Sequence, residues 1–430
     1  MTTDLKALIG TEIMESDSTR MLRIKGVTKA HKVMIIPLDK CLYNDLNGRI
    51  STYISQHIAN GNVIDKNDTE AYNAVIEDFI YQSNPKALDT TKKNIDTVGQ
   101  LVAGVVLNDG TIIDGNRRFT ALRKLKAAGK DVYFHAVILD ESEGINRKDI
   151  KMLELQLQHA EEKPVDYNPI DNLVDVYRDI IENELFEIPE YTVAIGKDSS
   201  SNKDLKEVKL LVKKSVLMVQ FLEFINAPKQ YYIARDFNLD GPLQEMVGII
   251  ERALKGIDIL TVMNKDYHDK NEQAQYIRIR NSLFATVFAA RSQKSEESGD
   301  LSRYIRETGK YIINSSNNED FLEKFDDIVE DMMETFEETS VTLETLSDVA
   351  KDLSELNSNS LKIVSTKIED AKREKAQIQP VDSLNSALKQ ISSIPVDQVK
   401  HMNDKSQHEF ILVYEEIQKK LELLGKALHV

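Results

Sequence analysis

The chain has 430 residues, 41% of them apolar and 29% charged, with a formal net charge of −16 at pH 7. That length allows two or three domains, and the composition is that of a globular chain, not a disordered one. No apolar run approaches the roughly 20 residues needed to cross a bilayer; the acid excess excludes coating of DNA by the whole surface; and a single cysteine, Cys41, excludes an internal disulfide and fits a reducing cytoplasm.

Residues 1–30 are polar and read as a loose leader with no secretory signal. Residues 31–145 read as an α/β domain. Strands are expected at 33–36, 102–107, 111–113 and 132–139, and helices at 50–58 and 70–81. The stretch 60–87 looks like an insertion. Asn108-Asp109-Gly110 is a two-strand turn signal. After Gly115 the apolar positions Phe119, Leu122 and Leu125 take helical spacing.

Residues 146–291 read as all-helical. Ile150, Leu153 and Leu157 mark one helix, and Asn168-Pro169 starts another with proline in its first turn. A loop at 195–202 precedes two expected helices, 204–212 and 215–225, parted by a tight Lys213-Lys214 turn. That spacing resembles a helix-turn-helix, although its second helix is apolar on most faces. A polar linker at 291–300 suggests a boundary. Residues 300–430 are again helical. Phe321, Phe325, Ile328, Met332 and Phe336 make an apolar stripe backed by acids. Leu346, Val349, Leu353 and Leu356 have coiled-coil spacing, and Pro380 and Pro395 are expected breaks. Phe410, Tyr414, Ile417, Leu421 and Leu424 mark a last amphipathic helix. This region is a helical bundle or a surface for self-association or a protein partner.

Charge is uneven. Residues 200–235 carry seven bases against three acids, with Lys203, Lys206, Lys209, Lys213 and Lys214 as the candidate DNA contacts. Residues 319–338 carry ten acids and one base.

The most informative run is Asp114-Gly115-Asn116-Arg117-Arg118. It falls where a strand ends and a helix begins, and there free backbone N–H groups and the helix dipole favour an anion. Gly115 lets the backbone approach closely, and two guanidinium groups follow. The chemistry suits a phosphate, with Asp114 holding the loop or a sugar and Thr120 adding a hydroxyl.

Asp-Gly-Asn-Arg-Arg followed by Ala121-Leu122 resembles the phosphate motif of the ParB/sulfiredoxin superfamily, in its ParB-like branch. Ile36-Pro37-Leu38-Asp39-Lys40 with Asn47-Gly48-Arg49, then Gly99-Gln100-Leu101-Val102, and later Asp166-Tyr167-Asn168-Pro169-Ile170-Asp171 resemble further segments of that family, over roughly 30–240. The resemblance implies a nucleotide-binding α/β domain, a DNA-binding helical domain and a cytoplasmic protein in a plasmid, phage or other mobile-element setting. It implies a nucleoside triphosphate, CTP or ATP, held by Arg49, Gly115, Asn116, Arg117, Arg118 and Thr120. Sulfiredoxin chemistry is not expected, because Asn116 stands where those enzymes need cysteine. Nor does 156–163 match the family's metal-associated Glu-Asn-x-x-Arg element, although Glu161 or Glu162 there could hold Mg2+ on the phosphates.

Three functions follow. One is nucleotide-gated binding to DNA or a partner. A second is catalysis, as a slow nucleoside triphosphatase, phosphotransferase or nuclease, with Asp114, Glu161 and Glu162 as the available carboxylates. A third is an interaction protein with a vestigial nucleotide site.

Overall fold

The computed structural model describes residues 4–160, 168–293, 300–315 and 318–428. Residues 14–30 are not a loose leader. Strand β1 (Met14–Ile24) pairs antiparallel with β2 (Val27–Ile36), and a bulge between Glu15 and Thr19 interrupts the ladder. Polar side chains hid β1 from a hydrophobicity reading, since most of it faces water and Leu22 is the apolar side chain it buries.

Three more strands complete the sheet: β3 (Gly104–Leu107), β4 (Ile112–Asp114) and β5 (Phe134–Leu139). The order is β1-β2-β5-β3-β4, with β3 and β5 parallel and the other pairs antiparallel. Leu101 and Val102 are exposed and precede β3, so that strand starts later than the sequence suggested. Gly110 closes the β3–β4 turn at φ +91, with the Lys40 carbonyl where a Cβ would stand.

The helices of the N-terminal region are α1 (Ser51–Ala59), α2 (Thr69–Ser83), α3 (Pro85–Val98), α4 (Asn116–Ala127) and α5 (Arg147–Ala160). Phe119, Leu122 and Leu125 of α4 pack with Ile36, Val106, Ile112 and Phe134 on one side of the sheet. Ile150, Leu153 and Leu157 of α5 pack with Leu22, Val105, Ile113 and Val137 on the other. The expected insertion is therefore two helices of this core, since Tyr72, Ile76 and Leu88 are buried in it.

Beyond α5 the described chain is helical: α6 (Pro169–Val176), α7 (Ile188–Ala194), α8 (Asn202–Phe224), α9 (Tyr231–Asp236), α10 (Asp240–Ala253), α11 (Ile259–Val262), α12 (Lys270–Ser292), α13 (Leu301–Thr308), α14 (Asn318–Glu338), α15 (Leu346–Asp352), α16 (Ser354–Ser392), α17 (Val396–Lys400) and α18 (Asp404–Ala427). This is an α+β chain with its sheet at the N-terminus and helices thereafter. No helix among the described residues is long and apolar enough to cross a membrane.

Two compact units result, Met1–Ser365 and Thr366–Val430. The division does not fall at 291–300: α13 packs on α10, and α14 on α12. The stripe of α14 is core, with Phe321, Phe325, Met332 and Phe336 buried. Its acids meet Arg278 of α12 through Glu319 and Asp326, not the lysines of α8. Pro380 lies inside α16 and does not end it. In the second unit, Ile417, Leu421 and Leu424 of α18 face solvent.

Candidate functional site

The run 114–118 folds as its residue types dictate. β4 ends at Asp114, Gly115 takes φ 103 and ψ 17, and α4 starts at Asn116. A Cβ at position 115 would lie 3.1 Å from Phe134 Cζ and 3.3 Å from Arg118 Nε, in a left-handed backbone conformation that side chains resist. No side chain caps the helix, and no acid occupies its first turn. The first helical bond is donated by Phe119 N to the Gly115 carbonyl. The preceding amides therefore have no helical acceptor, and the helix dipole adds partial positive charge to them.

Those amides open onto a cleft of about 800 Å3, open to solvent. Its wall combines residues far apart in sequence: Asn47 and Arg49 from the turn before α1, Ser83 and Asn84 at the α2–α3 junction, Asp114 to Arg118, and Leu157 with Gln158 from α5. Asn47 caps its short turn by accepting from Arg49 N, which fixes the backbone that carries the Arg49 side chain. Asn84 caps α3 through its carbonyl oxygen. Asn116 Oδ1 is buried and accepts no hydrogen bond. The lining holds three guanidinium groups against one carboxylate.

That carboxylate is already committed. Asp114 Oδ2 accepts from Arg118 Nη2 at 2.8 Å and from Arg20 Nη1 at 2.7 Å. The same Arg20 nitrogen donates to the Ala103 carbonyl at 2.6 Å. Arg20 is 8% exposed and comes from β1. Asp114 is thus a clamp on two arginines, which corrects its reading as an available base. It leaves the guanidinium charge of the cleft in excess.

Arg49, Gly115, Asn116, Arg117 and Arg118 are thereby brought together as the sequence reading expected. Thr120 is not. It is fully buried, donates to the Asn116 carbonyl at 3.0 Å and lies 2.7 Å from the Tyr43 hydroxyl, so it props α4 from inside the core. Glu161 and Glu162 lie outside the described residues, as do Asp166 and Tyr167. No group of three metal-binding side chains exists among the described residues. Cys41 is buried against the core, away from the cleft, and burial pushes its thiol pKa up.

The expected helix-turn-helix is absent. Residues 202–224 form one continuous helix, because good helix formers run straight through the supposed turn. Lys213 is buried and pairs with Glu251 at 2.6 Å and Asp258 at 2.8 Å; Lys214 is buried and pairs with Asp240 at 2.5 Å. Neither faces solvent. Lys203, Lys206 and Lys209 are exposed on the same helix.

Sequence reasoning missed Arg20, Ser83 and Asn84. Asn84-Pro85 did carry a signal, an N-cap residue followed by proline at the first helical position. Arg20 carried none, since its partner stands 94 residues away. Comparison with models of known protein families, with curated proteins and with solved structures finds no match to this chain.

Proposed function

We propose that this chain is a ParB-like nucleotide-binding protein, whose cleft at the start of α4 takes the phosphates of a nucleoside triphosphate, CTP or ATP. One observation carries the reading. Arg49 and the Arg117-Arg118 pair, separated by some 68 residues of sequence, line one cleft with the uncapped N-terminus of α4. Convergent guanidinium groups and the amides of a helix N-terminus are the donors that polyphosphate oxygens need. The resemblance of 114–122 to the ParB/sulfiredoxin phosphate motif supports the same reading.

The clamp supplies a gate. A phosphate that bonds Arg118 competes with Asp114 for it. Asp114 then keeps Arg20 and gives up Arg118, so the clamp that ties β1 to the start of α4 opens on its α4 side. Ligand binding so shifts the balance between a closed and an open clamp. The exposed stripe of α18 serves self-association or docking of a protein partner.

The test is a calorimetric titration of the full chain with each of the four nucleoside triphosphates, with and without magnesium. The magnesium arm matters because Glu161 and Glu162 are the carboxylates the sequence offers for it. Saturable binding of at least one nucleotide supports the reading. Absence of binding by all four leaves an interaction protein with a vestigial site.

A further inference from the structure

The hairpin of β1 and β2 extends beyond the sheet it belongs to. β5 pairs with β2 only at Met34, Ile35 and Ile36. From Thr19↔Lys32 to Ile24↔Val27 the two strands pair only with each other among the described residues. That is a two-stranded ribbon. One face of it packs on α5 through Leu22. Residues opposite one another in an antiparallel pair share a face, so the other face presents Thr19, Met21 and Arg23 beside Lys32, Ala30 and Thr28, and all six are exposed.

The charge of this ribbon opposes that of the chain. Residues 18–36 contain five bases, Arg20, Arg23, Lys25, Lys29 and Lys32, and no acid, in a chain of net charge −16. Arg20 turns inward to Asp114, and Lys25 lies 3.6 Å from Asp149. Arg23 and Lys29 are exposed and form no ion pair among the described residues. Among the described residues Lys32 has only Glu15, at 3.8 Å.

We propose that this ribbon is a contact surface for duplex DNA, independently of whether the cleft binds nucleotide. A two-stranded ribbon fits the B-form major groove, about 12 Å wide. Arg23 and Lys32 bond phosphates, while the small face and the methyl-bearing Met21 and Ala30 permit close approach to base edges. A-form RNA presents a major groove too narrow for the same fit. The competing role for such lysines is to keep an open strand edge from pairing with another copy.

The experiment measures anisotropy of a labelled random-sequence DNA duplex titrated with the full chain, beside an RNA duplex of the same sequence. The wild type should bind DNA, and two phosphate contacts should weaken that binding about 12-fold between about 50 and 200 mM salt. Reversal of both charges, Arg23→Glu and Lys32→Glu, should abolish it at low salt, with the circular dichroism spectrum and melting curve unchanged. If that variant is misfolded, the neutral pair Arg23→Gln and Lys32→Gln decides, and it should flatten the salt dependence. No DNA binding by the wild type overturns the proposal. So does binding that survives the substitutions, equal binding of the RNA duplex, or a variant that merely self-associates in sedimentation. Nucleotide affinity, measured in parallel, reports on the cleft alone.

Discussion

Asp114 decides how the arginines of the cleft are spent. Its carboxylate holds Arg118 over the start of α4 and Arg20 beside Ala103, so its removal releases Arg118 and leaves Arg20 on the Ala103 carbonyl. Asp114→Asn should leave phosphate affinity within a few-fold while reducing thermal stability, because charge-assisted bonds each contribute about 1.5–3 kcal/mol. A complete loss of phosphate binding in a folded variant would give Asp114 a direct role with ligand instead. Thr120→Ala should behave oppositely to a binding residue: stability falls by about 1 kcal/mol and affinity is unchanged, as differential scanning and titration can show. Asp171 is another carboxylate governed by its surroundings. Burial raises the Asp171 pKa to about 7, against the opposing hydrogen bond from the Thr52 amide at 2.8 Å. The native state then keeps a proton that the unfolded chain releases near its ordinary value of about 4. Stability from this group is greatest below that value and declines as pH rises towards about 7. Asp171→Asn, which stays neutral and retains an acceptor for Thr52, should flatten the fall of melting temperature across that window; an unchanged slope contradicts the assignment. At this scale the sequence was legible wherever chemistry was local. Gly115 and the arginines after it announce an anion site by type and spacing. The roles of Arg20 and Thr120 depend on packing partners remote in the chain, and no local pattern encodes those.

The element that matters most is α4, whose N-terminus must stay open. Gly115→Ala puts a Cβ into a left-handed conformation against Phe134 and Arg118. It should cost about 1–2 kcal/mol in unfolding free energy and weaken phosphate binding together. Equal affinity in a destabilised protein would separate the turn from the site. The periodic helices α1, α2 and α4 were readable because half-buried helices repeat their apolar residues every three or four positions. β1 was not, because it buries little. The supposed turn at Lys213-Lys214 was misread for the opposite reason. Two adjacent lysines suggest a surface break, yet Asp240, Glu251 and Asp258 neutralise them inside the helical core.

At the scale of the molecule, residues 301–365 belong to the first unit. A chain cut at 300 would lose α13 and α14 and uncover the aromatic contacts of Phe336 with Phe224 and Phe288. It should aggregate or melt without cooperativity. Removal of 401–430 takes away α18 alone and should leave the melting curve of the first unit in place. If the exposed stripe of α18 mediates self-association, the shortened chain should sediment as a smaller species than the full chain; equal sedimentation removes that role. The central claim is that Arg49, Arg117 and Arg118 form one phosphate-binding cleft. Its most direct measurement is a calorimetric comparison of the full-length wild type with Arg49→Ala and Arg118→Ala, titrated with the nucleotide that binds best. Each substitution should reduce affinity at least tenfold, equivalent to about 1.4 kcal/mol. Wild-type affinity in both variants would contradict the account.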